Sequence, residues 1–185
     1  LSIRRQRQMC IRDRFHALRF AFLILTQQKE LYVLHSASFL YRGRAFLVSG
    51  SSGTGKSTHS ALWHDLYQTP LLNGDLNLLG IRNSIPYAYG LPWCGTSGIC
   101  TPKDYPLGGI IFLKQAAIDQ VQSLQPDEKV LHILQRMISP AWTKELLLRN
   151  LHFSEALAPL IFSCRLYCTK EPSAARTLKA AIDAL

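Results

Sequence analysis

The stretch AFLVSGSSGTGKSTHSALWHDLY, residues Ala45–Tyr67, decides the reading of the whole chain. Inside it Gly50, Ser51, Ser52, Gly53, Thr54, Gly55, Lys56 and Ser57 form a complete G-x-x-x-x-G-K-[ST] phosphate-loop pattern, with Thr58 next in line. Both flanks suit it. Ala45 to Val48 is a short apolar run fit for a buried strand, and Thr58 to Tyr67 lacks Gly and Pro while placing Ala61, Leu62 and Leu66 at helical spacing. Glycines let the backbone wrap an anion, so that successive N–H groups point at phosphate oxygens at a helix N-terminus. Lys56 is then expected to reach the β- and γ-phosphates of ATP, and the Ser57 hydroxyl to hold Mg²⁺.

Upstream, Leu31 to Leu40 reads as a strand, and Tyr41-Arg42-Gly43-Arg44 as the turn of a hairpin that delivers the loop. His35 lies on that first strand, where spacing alone marks it as an ordinary structural histidine. Downstream, Pro70 to Asp75 (PLLNGD) is a short apolar strand running into an acid, the place where P-loop enzymes put a carboxylate. Asp75 is a candidate to order the metal or to take a proton from an attacking hydroxyl, and a solvated Asn-Gly-Asp turn is the plain alternative.

The loop Tyr87 to Gly98 (YAYGLPWCGTSG) offers backbone donors and hydroxyls for a substrate pocket, or is a connection pinned by Trp93. Leu107 to Leu113 reads as a buried strand, and Pro126-Asp127-Glu128 opens a helix through about Ile138. Ser139-Pro140 ends that helix. A second runs from Trp142 to Ala158 with Leu146, Leu147, Leu151 and Leu157 as its apolar positions. Leu160 to Thr169 reads as a last core strand, and Ser173 to Leu185 as a closing helix with Ala174, Leu178 and Ile182 on one face.

The N-terminal stretch is of another kind. Arg4 to Asp13 (RRQRQMCIRD) coincides residue for residue with a reading-frame translation of a common sequencing-library transposon adaptor. Residues 1–14 are therefore set aside as without fold, and residues 15–185 are taken as one P-loop domain truncated at its N-terminus. A basic nucleic-acid arm and a presequence are the competing readings. Formal charge is +9 overall; residues 1–14 hold five arginines against one aspartate, a net of +4, which leaves +5. That mild excess suits phosphate handling and shows no basic stripe interleaved with aromatics, so no nucleic-acid partner is expected. A hydrophobic share of 48% suits a soluble globular class. Phe15 to Leu25 is too short to span a bilayer and reads as a core strand or helix. The cysteines (Cys10, Cys94, Cys100, Cys164, Cys168) lack C-x-x-C spacing, which argues against zinc and fits a reducing, cytoplasmic setting without a membrane partner.

With these residues in hand, the run Leu34 to Ser57 followed by Leu71 to Asp75 resembles the catalytic domain of HPr kinase/phosphorylase. It is most similar to the small bacterial HPr-kinase-like proteins, among them the lasso-peptide serine kinases. The matching stretches are His35-Ser36-Ala37, Gly50 to His59, Leu72 to Asp75 and Pro92-Trp93-Cys94-Gly95. The resemblance implies an α/β fold with a P-loop core of the HPr kinase/phosphoenolpyruvate carboxykinase type, a mixed sheet flanked by helices. It also implies His35 near the phosphates and Asp75 as a catalytic or metal carboxylate. Asn73-Gly74 leaves one acid where HPr kinase has two, Cys94 replaces a Ser, and Thr96 stands where close relatives often have Lys. These departures keep HPr phosphorylation and phosphorolysis out of the expectation.

The expected activity is transfer of the γ-phosphate of ATP to a hydroxyl, with serine of a peptide or protein as the first expected acceptor. A small-molecule hydroxyl kinase and a catalytically weak ATP-binding partner module remain as alternatives. Assembly into a homo-oligomer stays open.

Overall fold

The computed structural model describes residues 3–93 and 97–185, with side chains from Asp13 onward. Cys94, Gly95 and Thr96, three positions of the Trp-containing loop, lie outside the described residues, as do Leu1 and Ser2. Helix α1 (Ile3–Gln28) precedes a hairpin of β1 (Tyr32–Tyr41) and β2 (Arg44–Ser49), and α2 (Lys56–Tyr67) follows the loop. Then come β3 (Leu71–Asn73), β4 (Leu76–Arg82), β5 (Ile85–Tyr89), β6 (Tyr105–Gln115) and β7 (Gln120–Ser123). The chain continues with α3 (Pro126–Arg136), α4 (Lys144–Leu157), β8 (Phe162–Cys168) and α5 (Pro172–Asp183).

The hairpin forms because Arg42 and Gly43 both take positive φ (50° and 73°) at its tip, which matches the strand twist. Its register pairs Ser36 with Ser49 and Tyr41 with Arg44. β2 then runs parallel to β6, and β6 parallel to β8, while β7 closes that edge antiparallel to β8. β3 pairs with the far half of β1. The near half of β1 pairs antiparallel with β4, which pairs with β5, and β5 meets the start of β6. The result is a mixed sheet flanked by helices, with long strands β1 and β6 shared between its two parts.

Strand alternation sorts the side chains into opposite cores. On β2, Ala45 and Leu47 face a core with Ile110, Phe112, Ile133 of α3 and Phe153 and Leu157 of α4. Phe46 and Val48 face the other, with Trp63 of α2, Cys164 and Leu166 of β8, and Ala174, Leu178 and Ile182 of α5. The loop after β2 is thus fixed from both sides of the sheet.

Several expectations need correction. Phe15 to Leu25 is helical and gives a core only one face: Leu23 is buried with Phe22 packed beside it, while Phe15, Leu18, Phe20 and Leu25 are exposed. On α2 Leu62 and Leu66 pack against the second core as the spacing suggests, but Ala61 is exposed and the fully buried residues are His59, Ser60 and Trp63, because the helix rotates its aromatic face inward. Leu147 of α4 is exposed, and Asn150, Phe153 and Ser154 are buried in its place beside Leu157. Tyr87 to Tyr89 belong to β5 rather than to a loop. Strand β7 went unread because QVQS is a polar edge strand without apolar alternation.

His59 is 3% exposed and accepts a hydrogen bond at Nε2 from Trp63 Nε1 at 3.2 Å. Burial pushes its pKa down from 6.5 to about 4. The unfolded chain therefore binds a proton between those values that the folded chain refuses, so stability present above pH 6.5 is lost as pH falls toward 4. Urea unfolding should lose about 2–3 kcal/mol of stability from this group between roughly pH 7.5 and 4.5. His59→Gln should lack that part of the pH dependence; an unchanged slope in the variant would reject the assignment.

Candidate functional site

The loop from Gly50 to Ser57 closes on itself before any ligand is considered. Thr54 Oγ1 donates to Ser51 O at 2.7 Å, and Lys56 Nζ donates to Gly50 O at 3.2 Å and Ser51 O at 3.3 Å. Gly55 caps α2 with φ 98°, a conformation that a side chain would strain. At Gly50 the constraint is space: a Cβ would come within 2.5 Å of Thr54 Oγ1. Ser57 and Thr58 are exposed at the start of α2, where the free N–H groups of a helix favour anions.

His35 and Asp75 come together, His35 Nε2 to Asp75 Oδ1 at 3.4 Å. Burial, reinforced by the Lys56 charge, holds the His35 pKa below its usual 6.5, while Asp75 pulls the other way. At neutral pH this is a neutral imidazole against a carboxylate, not an ion pair. Lys56 is likewise pushed down, first by burial and then by Arg136, with Asp75 opposing. Electrostatically, Lys56, His35, Asp75 and Arg136 thus form one group.

Asn73 positions the acid. Its Oδ1 accepts from Asp75 N at 2.9 Å and Leu76 N at 3.1 Å, an Asx turn, and its Nδ2 donates to Trp93 O at 2.8 Å. Asp75 O accepts from Ser36 N at 3.0 Å, which ties the turn to β1 one residue beyond His35. Gly74 has no room for a second acid: an added Cβ would lie 2.2 Å from Ser97 Oγ.

The described part of the 87–98 loop behaves as a pinned connection. Trp93 packs edge-on against Phe22 at 4.3 Å. The space beside Asn73, Ala88 and Leu91 amounts to about 10 Å³, room for a water at most. A larger cavity, about 600 Å³, borders the phosphate loop and includes Ser51, Thr54, His132, Arg136 and Arg165. Sequence reasoning missed Arg136, which donates to Ser51 Oγ at 3.3 Å, and Gln115, which donates to Gly53 O at 3.0 Å. Neither carries a local signal. The Asn-Gly-Asp pattern did hold one for Asn73.

Among the described residues no three His, Cys, Asp or Glu side chains converge as a metal site. A phosphate-bound Mg²⁺ needs only one or two protein oxygens, and the exposed Ser57 hydroxyl and the Asp75 carboxylate are hard donors of that kind. Among the described residues no helix is long and apolar enough to cross a membrane.

No family model matches the chain, and no curated protein matches it. Among solved structures, the Hpr(Ser) kinase/phosphatase from Coxiella burnetii is similar with a TM-score of 0.43 and 9% sequence identity, over 82% of this chain and 98% of that one.

Proposed function

We propose that the chain is an ATP-dependent kinase that phosphorylates a hydroxyl, that of a serine in a peptide or protein. The observation that carries this reading is the meeting of His35 and Asp75, 3.4 Å apart, with the phosphate-loop Lys56 as an electrostatic neighbour of both. A phosphate loop alone binds nucleotide; a carboxylate and an imidazole facing its lysine add the means to activate an acceptor.

In this reading the N–H groups of Gly53 to Thr58 bind the β- and γ-phosphates, and Lys56 neutralises charge developing between them. Ser57 and Asp75 hold Mg²⁺, which when bound supplies further charge neutralisation. Asp75 accepts the proton of the acceptor hydroxyl as its oxygen forms the new bond to the γ-phosphorus and the bridging bond to the β-phosphate breaks, releasing ADP. Neutral His35 sits 3.4 Å from Asp75 Oδ1 and confines the carboxylate on that side.

The packing of Ser97 over Gly74 favours one second reading, an ATP-binding module of weak catalytic power, because it leaves Asp75 as the only acid of the turn. Incubation with γ-labelled Mg·ATP and a library of Ser-containing peptides separates the two. Label on serine, abolished by Lys56→Ala, is the expected result. Tight ATP binding with no label on any peptide assigns the module or a small-molecule acceptor instead.

A further inference from the structure

The cavity between α3, β6, β8 and the phosphate loop is lined by cations from three separate elements, with a fourth cation behind it. Arg136 comes from the last turn of α3, Arg165 from β8, Lys114 from the end of β6, and Lys56 stands behind Ser51 at the loop. None of the residues lining it is acidic. At about 600 Å³ it has the size of a ligand cleft.

These charges are poorly matched. The Arg165 side chain is 22% exposed, and its guanidinium reaches His132 Nε2 at 2.6 Å and Gln122 Oε1 at 3.2 Å, both neutral acceptors. The Glu128 carboxylate is 3.9 Å away, and its other oxygen accepts from Gln125 N at the start of α3. Arg136 donates to Ser51 Oγ and forms no ion pair among the described residues. The same excess shows at its neighbours: after burial, Arg136 is what lowers the Lys56 pKa most, and Arg165 what lowers that of His132. Arg165 is thus compensated only by a long ion pair and Arg136 by none among the described residues, and partly buried cations so weakly matched cost a fold stability. Guanidinium groups in such a setting bind carboxylate or phosphate oxygens in charge-assisted pairs.

We infer that this cavity is a second anion-binding site beside the phosphate loop, which holds a carboxylate- or phosphate-bearing part of the phosphate acceptor between Arg165, His132 and Arg136. Its assignment to the acceptor rests on the kinase reading above; its anion chemistry does not.

The test uses the full chain loaded with Mg²⁺ and a non-hydrolysable ATP analogue, whose binding is measured first by calorimetry. Inorganic phosphate and, separately, succinate are then titrated into the loaded protein, which tells a phosphate source from a carboxylate one. At least one anion should bind. Arg165→Gln should weaken that binding tenfold or more and shift affinity for the analogue less than twofold, and Arg165→Lys, which keeps the charge, should retain part of it. Failure of both anions to bind the loaded protein overturns the inference. So does a tenfold loss of analogue affinity in Arg165→Gln, which would give the cavity to the nucleoside. If the analogue does not bind at all, the kinase reading falls, and titration of the free protein still decides the site. Anion binding lost in Arg165→Gln and kept in Lys56→Ala supports it; the reverse pattern places the anion on the phosphate loop and rejects it.

Discussion

Replacing Asp75 by Asn should lower the rate of phosphoryl transfer to serine peptides about 10²–10⁴-fold, the range for loss of a positioned general base. The substitution suits the question because the Asp75 backbone is held independently of its carboxylate. Its N–H donates to Asn73 Oδ1 and its carbonyl accepts from Ser36 N, so an isosteric amide leaves the turn in place. ATP affinity should change by only a few-fold if, as proposed, the loop N–H groups and Lys56 supply most of the phosphate contacts. A rate within threefold of the parent, measured with γ-labelled ATP, would remove Asp75 from the chemistry and leave it as a turn residue. A large loss of ATP affinity with little change in rate at saturation would instead make it chiefly a metal ligand.

How far the sequence could be read depended on whether a feature is set by neighbours along the chain or across it. The hairpin, the phosphate loop and the start of α2 are local: Gly43 and Gly55 sit at positive φ where the turn and the helix start demand it. Asp75 was legible for the same reason, being placed by an apolar strand and an Asx turn within three residues. The cationic cavity was not. Lys114, His132, Arg136 and Arg165 lie on three elements, and only the parallel pairing of β6 with β8 and the packing of α3 over them bring these side chains together. The 87–98 stretch left two readings open, a pocket and a connection pinned by Trp93, because local composition alone does not choose between them. Its glycines and aromatics have the composition of a pocket, yet Trp93 is used up against Phe22, and Tyr87 to Tyr89 are spent on a strand.

Trp63→Ala should cost about 3–5 kcal/mol of folding stability, the range for a fully buried aromatic. Trp63 has no exposed surface. It stacks on Phe39 at 4.3 Å, meets Tyr41 and Tyr67 edge-on at 5.1 and 5.2 Å, and donates its indole N–H to His59. Alanine removes all of these contacts at once and opens a cavity between α2 and the sheet that flanking side chains cannot fill without moving. Trp63→Phe keeps the stacking and loses the hydrogen bond, so it should cost less, with most of its penalty coming from the smaller ring and the unpaired His59 nitrogen. Since α2 carries the phosphate loop at its N-terminus, Trp63→Ala should also weaken ATP binding although the residue touches no phosphate. Urea unfolding monitored by far-ultraviolet circular dichroism reads the first effect, and calorimetric titration of Mg·ATP the second. A stability loss below about 1 kcal/mol would mean that α2 is not anchored through this face, and the loop geometry would then need another support.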